Sequence, residues 1–500
     1  MEVSPDRGLF GHTYAMGRPQ VLATTLLADL ETPVSAMLKL AEGRPYSFLL
    51  ESVEGGAVRG RYSIIGLKPD LVWRCRGAQA EINRRARAER DAFEPEPQPA
   101  LASLRALLAE SRIELPADLP PMAAGLFGHL GYDMVRLMER LPATKPDRLG
   151  LPDAVFMRPT IVAIFDNILD RVTVVTPVWP NPQLAAERAY DLACERLADT
   201  LADFDRGIAH VGRRLSSPPP EPVSNVSRAQ YHAMVEAAKA YIVAGDIFQV
   251  VPSQRFTVPF ELPPFALYRA LRRLNPSPFL FFLDLDGYAL VGSSPEILVR
   301  LRDGKVTVRP IAGTRPRGAT RAEDEALARD LLADPKELAE HLMLLDLGRN
   351  DVGRVAAVGT VRVTEQMVIE RYSHVMHIVS NVEGQIRPGL DALDALIAGF
   401  PAGTVTGAPK IRAMEIVEEL EPERRGFYGG AVGYFGCDGT MDTCIALRTA
   451  LVREGHMYVQ AGGGVVHDSD PDLEYEESRN KARALIRAAE EAVRFAGARR

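Results

Sequence analysis

Cysteine is scarce: Cys75, Cys194, Cys437 and Cys444 are the only four thiols in 500 residues, and no two of them form a CxxC pair. That spacing argues against a zinc-cysteine site or a disulfide framework and implies scattered reduced thiols. Also missing is any apolar stretch long enough to cross a bilayer. The first residues, Met1 to Asp6, lack the basic segment and apolar run of a secretory signal. The expectation is a cytoplasmic protein with no membrane partner. Neither sign of charge is concentrated. The formal net charge is −7 with both signs interspersed, and no basic block or aromatic-basic stripe offers nucleic acid a groove. A nucleic-acid partner is not expected, and an anionic substrate would need cations placed locally around it. No internal repeat is visible.

What is present is ordinary globular composition, 46% hydrophobic and 25% charged. The length suggests two domains or one large composite unit. The best linker is residues 213–227, where Ser216-Ser217-Pro218-Pro219-Pro220-Glu221-Pro222 sustains neither helix nor central strand. It divides the chain into residues 1–212 and 228–500. Residues 84–99, rich in arginine, glutamate and proline, read as an exposed excursion. Short apolar runs predict strands at 46–50, 61–65, 71–74, 124–128, 160–165 and 172–178, with helical periods at 101–108 and 183–206. Beyond the linker, a helix over 228–244 leads into a strand run over 246–256. Further strands are expected at 279–284, 288–293, 298–302 and 305–309. Asp438-Gly439 predicts a hairpin joining 430–436 to 442–453. Strands joined by tight turns imply an α+β fold, largely antiparallel sheets packed as a sandwich with helices outside.

Two helices carry paired glutamates. Asp334-Pro335-Lys336-Glu337 reads as a helix start, with Glu337 and Glu340 three apart on one face. Ser469-Asp470-Pro471-Asp472 opens a second helix bearing Glu474 and Glu477, with Lys481 one turn on. Spacing alone also accommodates plainer readings. Glu337 sits where a capping-box carboxylate belongs, and Glu477–Lys481 is an ordinary surface pair. If both glutamate faces met in one cleft, their repulsion would call for a hard cation such as Mg²⁺. His377, in an alternating strand-like run, reads by pattern alone as a structural histidine.

Several segments in fixed order resemble the chorismate-utilising enzymes, densely from about residue 226 to 490. They are Gly245-Asp246-Ile247-Phe248-Gln249 through Phe256, Gly292-Ser293-Ser294-Pro295-Glu296, Pro310-Ile311-Ala312-Gly313-Thr314-Arg315, Glu340-His341-Leu342 through Asp351, Pro401-Ala402-Gly403-Thr404 through Lys410, and Arg479-Asn480-Lys481-Ala482. Relatives that make aminodeoxychorismate carry a nucleophilic lysine at the position of Ala312, which can form no adduct. Those that make isochorismate or salicylate use a lysine to activate water at the position of Gln249, which has no titratable group. With both lysines absent, the likeness is to the large subunits of anthranilate synthases, with ammonia as the nucleophile. A tryptophan-binding regulator without catalysis is the rival from another class. The joint presence of Glu340, His377, Arg448 and Glu477 argues against it.

The resemblance implies a role for each matching residue. Glu340 and Glu477 would be direct Mg²⁺ ligands, with Glu337 and Glu474 behind them, the ion clamping the ring carboxylate of chorismate. Tyr428, Arg448 and the Gly462-Gly463-Gly464 backbone would take the other carboxylate, and Gly313, Thr314 and Thr404 would complete the substrate contacts. His377 falls on the family's general acid. Ser52 and Arg61, with Pro278, Phe279 and Leu280 from the other half, look like a tryptophan-sensing pocket. This would make the N-terminal part regulatory and the C-terminal part chorismate-binding. The chain holds no nucleophilic cysteine in a Gly-rich elbow. A glutamine amidotransferase small subunit is therefore the implied partner, supplying ammonia within a heterotetramer.

Overall fold

The computed structural model describes residues 1–41, 43–54, 58–208, 221–372 and 375–498. The linker prediction at 213–220, together with Ser373 and His374, lies outside these residues. The fold is α+β, and every strand pairing within its large sheet is antiparallel. At its centre lies one 19-residue strand, Val58–Arg76, where two separate short strands are expected from sequence. Lys68 (φ 51°) and the register shift at Pro69 bend this strand without ending it. It pairs along its length with Ala154–Asp166, whose side chains are buried on both faces up to the last residue.

The two sequence halves share this sheet. Ser47–Glu54 pairs with Phe279–Asp284, and Gly125–Leu130 pairs with Ala431–Gly436. From the first junction the sheet continues through Ala289–Ser294, Thr449–Arg453, His456–Gly462 and Ser253–Pro259. From the second it runs through Met441–Ile445, Ile297–Arg302, Lys305–Val308 and Val375–Gln385. The last strand is flanked by Ile311–Pro316 and Arg362–Arg371.

Two predicted strands break where the backbone requires it. The run over 246–256 splits at Pro252, which has no N–H to donate to a ladder. Gln249–Val250 pairs with Gly407–Ala408 in a separate two-stranded sheet, and Ser253–Pro259 joins the main one. The run over 442–453 is interrupted by Arg448, held at φ 45° between two strands. The helices Arg321–Ala333, Ala392–Gly399 and Lys410–Leu420 have no counterpart in the sequence reading.

Both glutamate helices form. Pro335–Gly353 is capped by Asp334, whose carboxylate accepts from the Lys336 and Glu337 N–H groups. It buries His341, Leu344, Leu345, Gly348 and Val352 against the sheet. Pro471–Ala498 starts where Asp470 accepts from the N–H groups of Asp472 and Leu473. Its buried stripe of Glu474, Ser478, Ala482, Leu485, Ala489 and Ala492 follows the 3.6-residue period. Small residues there let the helix lie close to its neighbours. No helix among the described residues is long and apolar enough to cross a membrane.

Candidate active site

The glutamates of both helices approach a common set of glycines. Glu337 does not make the capping-box bond to its own N-cap. Its carboxylate accepts from Arg315 Nη1 at 3.1 Å and lies 3.0 Å from where a Cβ on Gly313 would be. Gly313 has φ 68°, so a side chain there would be both strained and obstructed. One turn on, Glu340 Oε1 accepts from Gln249 Nε2 at 3.2 Å. That same amide nitrogen would sit 2.4 Å from a Cβ at Gly464, so Gln249 spans from the first glutamate helix to the glycine triplet. Across the triplet, a Cβ at Gly463 would come 2.7 Å from Glu474 Oε2 and 3.8 Å from the Glu477 carboxyl carbon. Lys336 Nζ reaches Asp468 at 3.4 Å, joining the starts of the two helices.

The electrostatics of this wall are set by its carboxylates. Burial raises the pKa of Glu337, and repulsion from Glu340 adds to it against the pull of Arg315. Burial likewise raises Glu474, with Glu477 contributing. Glu474 Oε1 accepts from the Ser469 hydroxyl at 2.7 Å, while its Oε2 is buried without any partner. Glu477 is half exposed and meets Lys481 at 2.8 Å, so the plain i,i+4 pair exists. Among the described residues, no three His, Cys, Asp or Glu side chains converge closely enough to enclose a metal ion. The donor set, all oxygen with one orphaned buried atom, fits a hard divalent cation.

Near His377 the site also carries a cation. Burial lowers the pKa of Arg448, and no carboxylate among the described residues pairs with it. Its carbonyl accepts from the Ser293 N–H at 3.1 Å, fixing the loop. Tyr428, 3% exposed, is pushed up to about 12 by burial, while the Gly462 N–H bonds its hydroxyl. Arg425 is the keystone beneath. It donates to the carbonyls of Val405 and Val251, both at 2.6 Å, pairs with Glu421 at 2.6 Å and lies 5.4 Å from the Tyr428 ring. Lys481 Nζ holds the Gly462 carbonyl at 3.0 Å.

His377 is 7% exposed. Its Nδ1 is 2.8 Å from the Gly313 carbonyl and 3.1 Å from Thr314 Oγ1. Burial lowers its pKa and the nearby Arg448 charge lowers it further. The neutral ring, donating from Nδ1 to Gly313, leaves Nε2 bare. Sequence reasoning gave no role to Glu296, which the structure brings to the same wall. Thr404 Oγ1 donates to it at 2.8 Å, and burial pushes its carboxyl up to about 8. The signal was in the sequence, a carboxylate inside the otherwise uncharged run from Tyr288 to Val299.

The residues expected to sense tryptophan are partly gathered. Ser52 and Phe279 are direct partners across the junction of the two halves, and Leu280 faces Glu51. Pro278 and Phe279 are half-buried and Leu280 is buried. Arg61 stands opposite the bulge at Ser52, but its guanidinium is taken by Asp166 at 3.0 Å. Beside them, Glu51 is buried, accepting from Tyr268 and from Arg272 at 2.6 and 3.0 Å.

One family model, described as chorismate binding enzyme, matches residues 63–487 of this chain. The chain belongs to that family. Anthranilate synthase component 1 of Cereibacter sphaeroides is 62% identical over 97% of this chain and 98% of its own length. The Thermus thermophilus protein of the same name is 50% identical over 95% and 99%. The crystal structure of anthranilate synthase component I from Streptococcus pneumoniae superposes with a TM-score of 0.76 at 35% identity, covering 92% of this chain and 99% of that one. The menaquinone-specific isochorismate synthase of Escherichia coli shares the fold at 19% identity, with a TM-score of 0.70 over 97% and 100% of the two chains. Within the family, the chain belongs to the anthranilate synthase component 1 group.

Proposed function

We propose that this chain converts chorismate and ammonia to anthranilate, pyruvate and water. One observation carries the reading: Gly463 packs against Glu474, which has a buried oxygen without a partner, and against Glu477, while Gln249 ties Glu340 to Gly464, and the partly buried Arg448 near His377 pairs with no carboxylate among the described residues. Such a set of groups suits a dianion accompanied by a divalent cation. Glu340 and Glu477 would hold Mg²⁺, with Glu337 and Glu474 behind them. When bound, the ion supplies charge neutralisation and polarisation at the ring carboxylate. Arg448 and Tyr428 bind the enolpyruvyl carboxylate, and the N–H groups around Gly463 and Gly464 approach it without a Cβ in the way. Gly313, Thr314 and Thr404 position the ring.

Ammonia adds at C2 as the C4 hydroxyl departs, taking its proton from His377. In the free protein burial, with a smaller contribution from the Arg448 charge, depresses that imidazole. A substrate anion on Arg448 cancels this charge, so binding itself raises the pKa of His377 towards the donor form. Glu296, protonated at neutral pH, provides a second proton source on the same wall. Loss of the C2 proton with the enolpyruvyl group as pyruvate then gives the aromatic ring. Ala312 and Gln249 offer no amine to compete with ammonia or to activate water.

Ammonia comes from a glutamine amidotransferase subunit in a heterotetramer, and the reaction serves tryptophan biosynthesis in the cytoplasm. Tryptophan bound near Ser52, Phe279 and Leu280 inhibits by favouring one arrangement of the paired halves. The test mixes the pure chain with chorismate, Mg²⁺ and ammonium at mildly alkaline pH. Anthranilate fluorescence and pyruvate should rise together, and both should fall with EDTA or tryptophan. Isochorismate or aminodeoxychorismate as the accumulating product would refute the reading.

A further inference from the structure

Next to Glu340 on the first glutamate helix lies His341, fully buried at 0% exposure. Its Nε2 is 2.6 Å from Ser380 Oγ, while its Nδ1 is buried with no partner. Burial pushes the ring down to about 4, so it is neutral. An apolar side chain would fill this place without leaving a nitrogen unanswered, so the imidazole is there for its one bond. Ser380 belongs to Val375–Gln385, the strand that carries His377. Met376 and Ile378 of that strand pack with Leu331 and Leu338 of the helical layer, and by alternation Ser380 shares their face while His377 looks the other way.

The serine is itself tied on two further sides. Its N–H donates to the Pro310 carbonyl at 3.2 Å, at the start of the segment leading to Gly313. Its hydroxyl accepts from the Met367 N–H at 2.9 Å, where the neighbouring strand shifts register and Met367 is held at φ 51°. The point His341 grips is therefore anchored to both flanking strands. Other side-chain hydrogen bonds of this helix among the described residues run elsewhere, such as Lys336 to Asp468, Glu337 to Arg315, Glu340 to Gln249 and Asp351 to Lys410 at 2.8 Å.

We propose that His341 is a positioning residue that, through Ser380, fixes the helix bearing Glu340 against the strand bearing His377. It thereby sets the separation between the cation-binding carboxylate and the proton-bearing ring. This inference rests on the function proposed above. The helix is otherwise held to that strand by packing, which resists separation better than sliding. Loss of the tether lets Glu340 drift relative to the glutamates of the second helix.

The test compares the parent chain with His341→Leu, His341→Gln, Ser380→Ala and the His341→Leu/Ser380→Ala pair. Leu keeps the bulk without the bond, and Gln places an amide near the position of Nε2. Mg²⁺ binding is measured by calorimetry, alongside kcat, KM for chorismate and thermal melting. His341→Leu and Ser380→Ala should each weaken Mg²⁺ binding by about tenfold. The double variant should lose no more than either single one, and His341→Gln should recover most of the loss. A lowered melting temperature with parental Mg²⁺ affinity, or multiplicative losses in the double variant, overturns the tether alone. A parent chain that binds no Mg²⁺ overturns the metal site proposed above and this inference with it.

Discussion

Replacing Arg448 with methionine should move activity and stability in opposite directions. Methionine keeps the unbranched length and the same penalty at φ 45°, so the loop is disturbed little. What disappears is a partly buried, desolvated cation with no carboxylate partner among the described residues. A carboxylate bound by its two-pronged head gains two charge-assisted hydrogen bonds, each about 1.5–3 kcal/mol. Their loss should cost about 3 kcal/mol or more, and at about 1.4 kcal/mol per decade kcat/KM for chorismate should fall roughly 10²- to 10³-fold. The free protein no longer carries the desolvated charge and should gain about 0.5–2 kcal/mol of stability. Steady-state kinetics with ammonium and urea unfolding followed by fluorescence read the two effects. Lower stability together with lower activity would mean that Arg448 serves the fold, and unchanged kcat/KM would mean that it does not meet substrate.

Three other perturbations bear on separate parts of the molecule. Glu421→Ala leaves Arg425 buried at 1% side-chain exposure without its ion partner, so urea unfolding should show a loss of about 3–5 kcal/mol; a loss below about 1 kcal/mol would deny Arg425 its keystone place. Glu296 holds its proton up to about 8, so the donor form is present below that pH and lost above it. With rates expressed per free ammonia, kcat/KM should decline through about pH 8, and Glu296→Gln should abolish that limb; a limb that persists in the variant belongs to another group. Phe279→Ala removes half-buried apolar surface opposite Ser52 and should raise the tryptophan concentration for half inhibition roughly tenfold while leaving kcat unchanged; parental inhibition would place the effector elsewhere.

Much of the scaffold was legible because its signals are local. Asp334 and Asp470 cap the two glutamate helices as their sequences suggest, and the Asp438-Gly439 hairpin joins the strands it separates. What escaped depends on long-range partners. Pro252 is a local sign of a break within residues 246–256, but only the pairing of Gln249–Val250 with Gly407–Ala408 shows that the two pieces enter different sheets. Glu337 has the sequence position of a capping carboxylate, yet Arg315, 22 residues earlier, turns it towards the cleft. Glu296 stands out in sequence as a lone carboxylate, but its burial and its bond to Thr404, 108 residues away, appear only in the folded chain. Arg61 shows the reverse case, since its sequence position suggests a ligand contact and Asp166 claims its charge.

The strand exchange between the halves bears on how the polypeptide can be cut. A fragment beginning near residue 228 would keep every candidate catalytic side chain. It would nevertheless expose the bare flanks of Phe279–Asp284 and Ala431–Gly436, whose native neighbours are Ser47–Glu54 and Gly125–Leu130. Both flanks are apolar ladders with unmet donors and acceptors, the kind of surface that recruits other chains into aggregates. Catalysis by the isolated second half is therefore barred by solubility before chemistry is reached. Supplying the first half in trans, as a separately expressed polypeptide, is the natural way to rescue it.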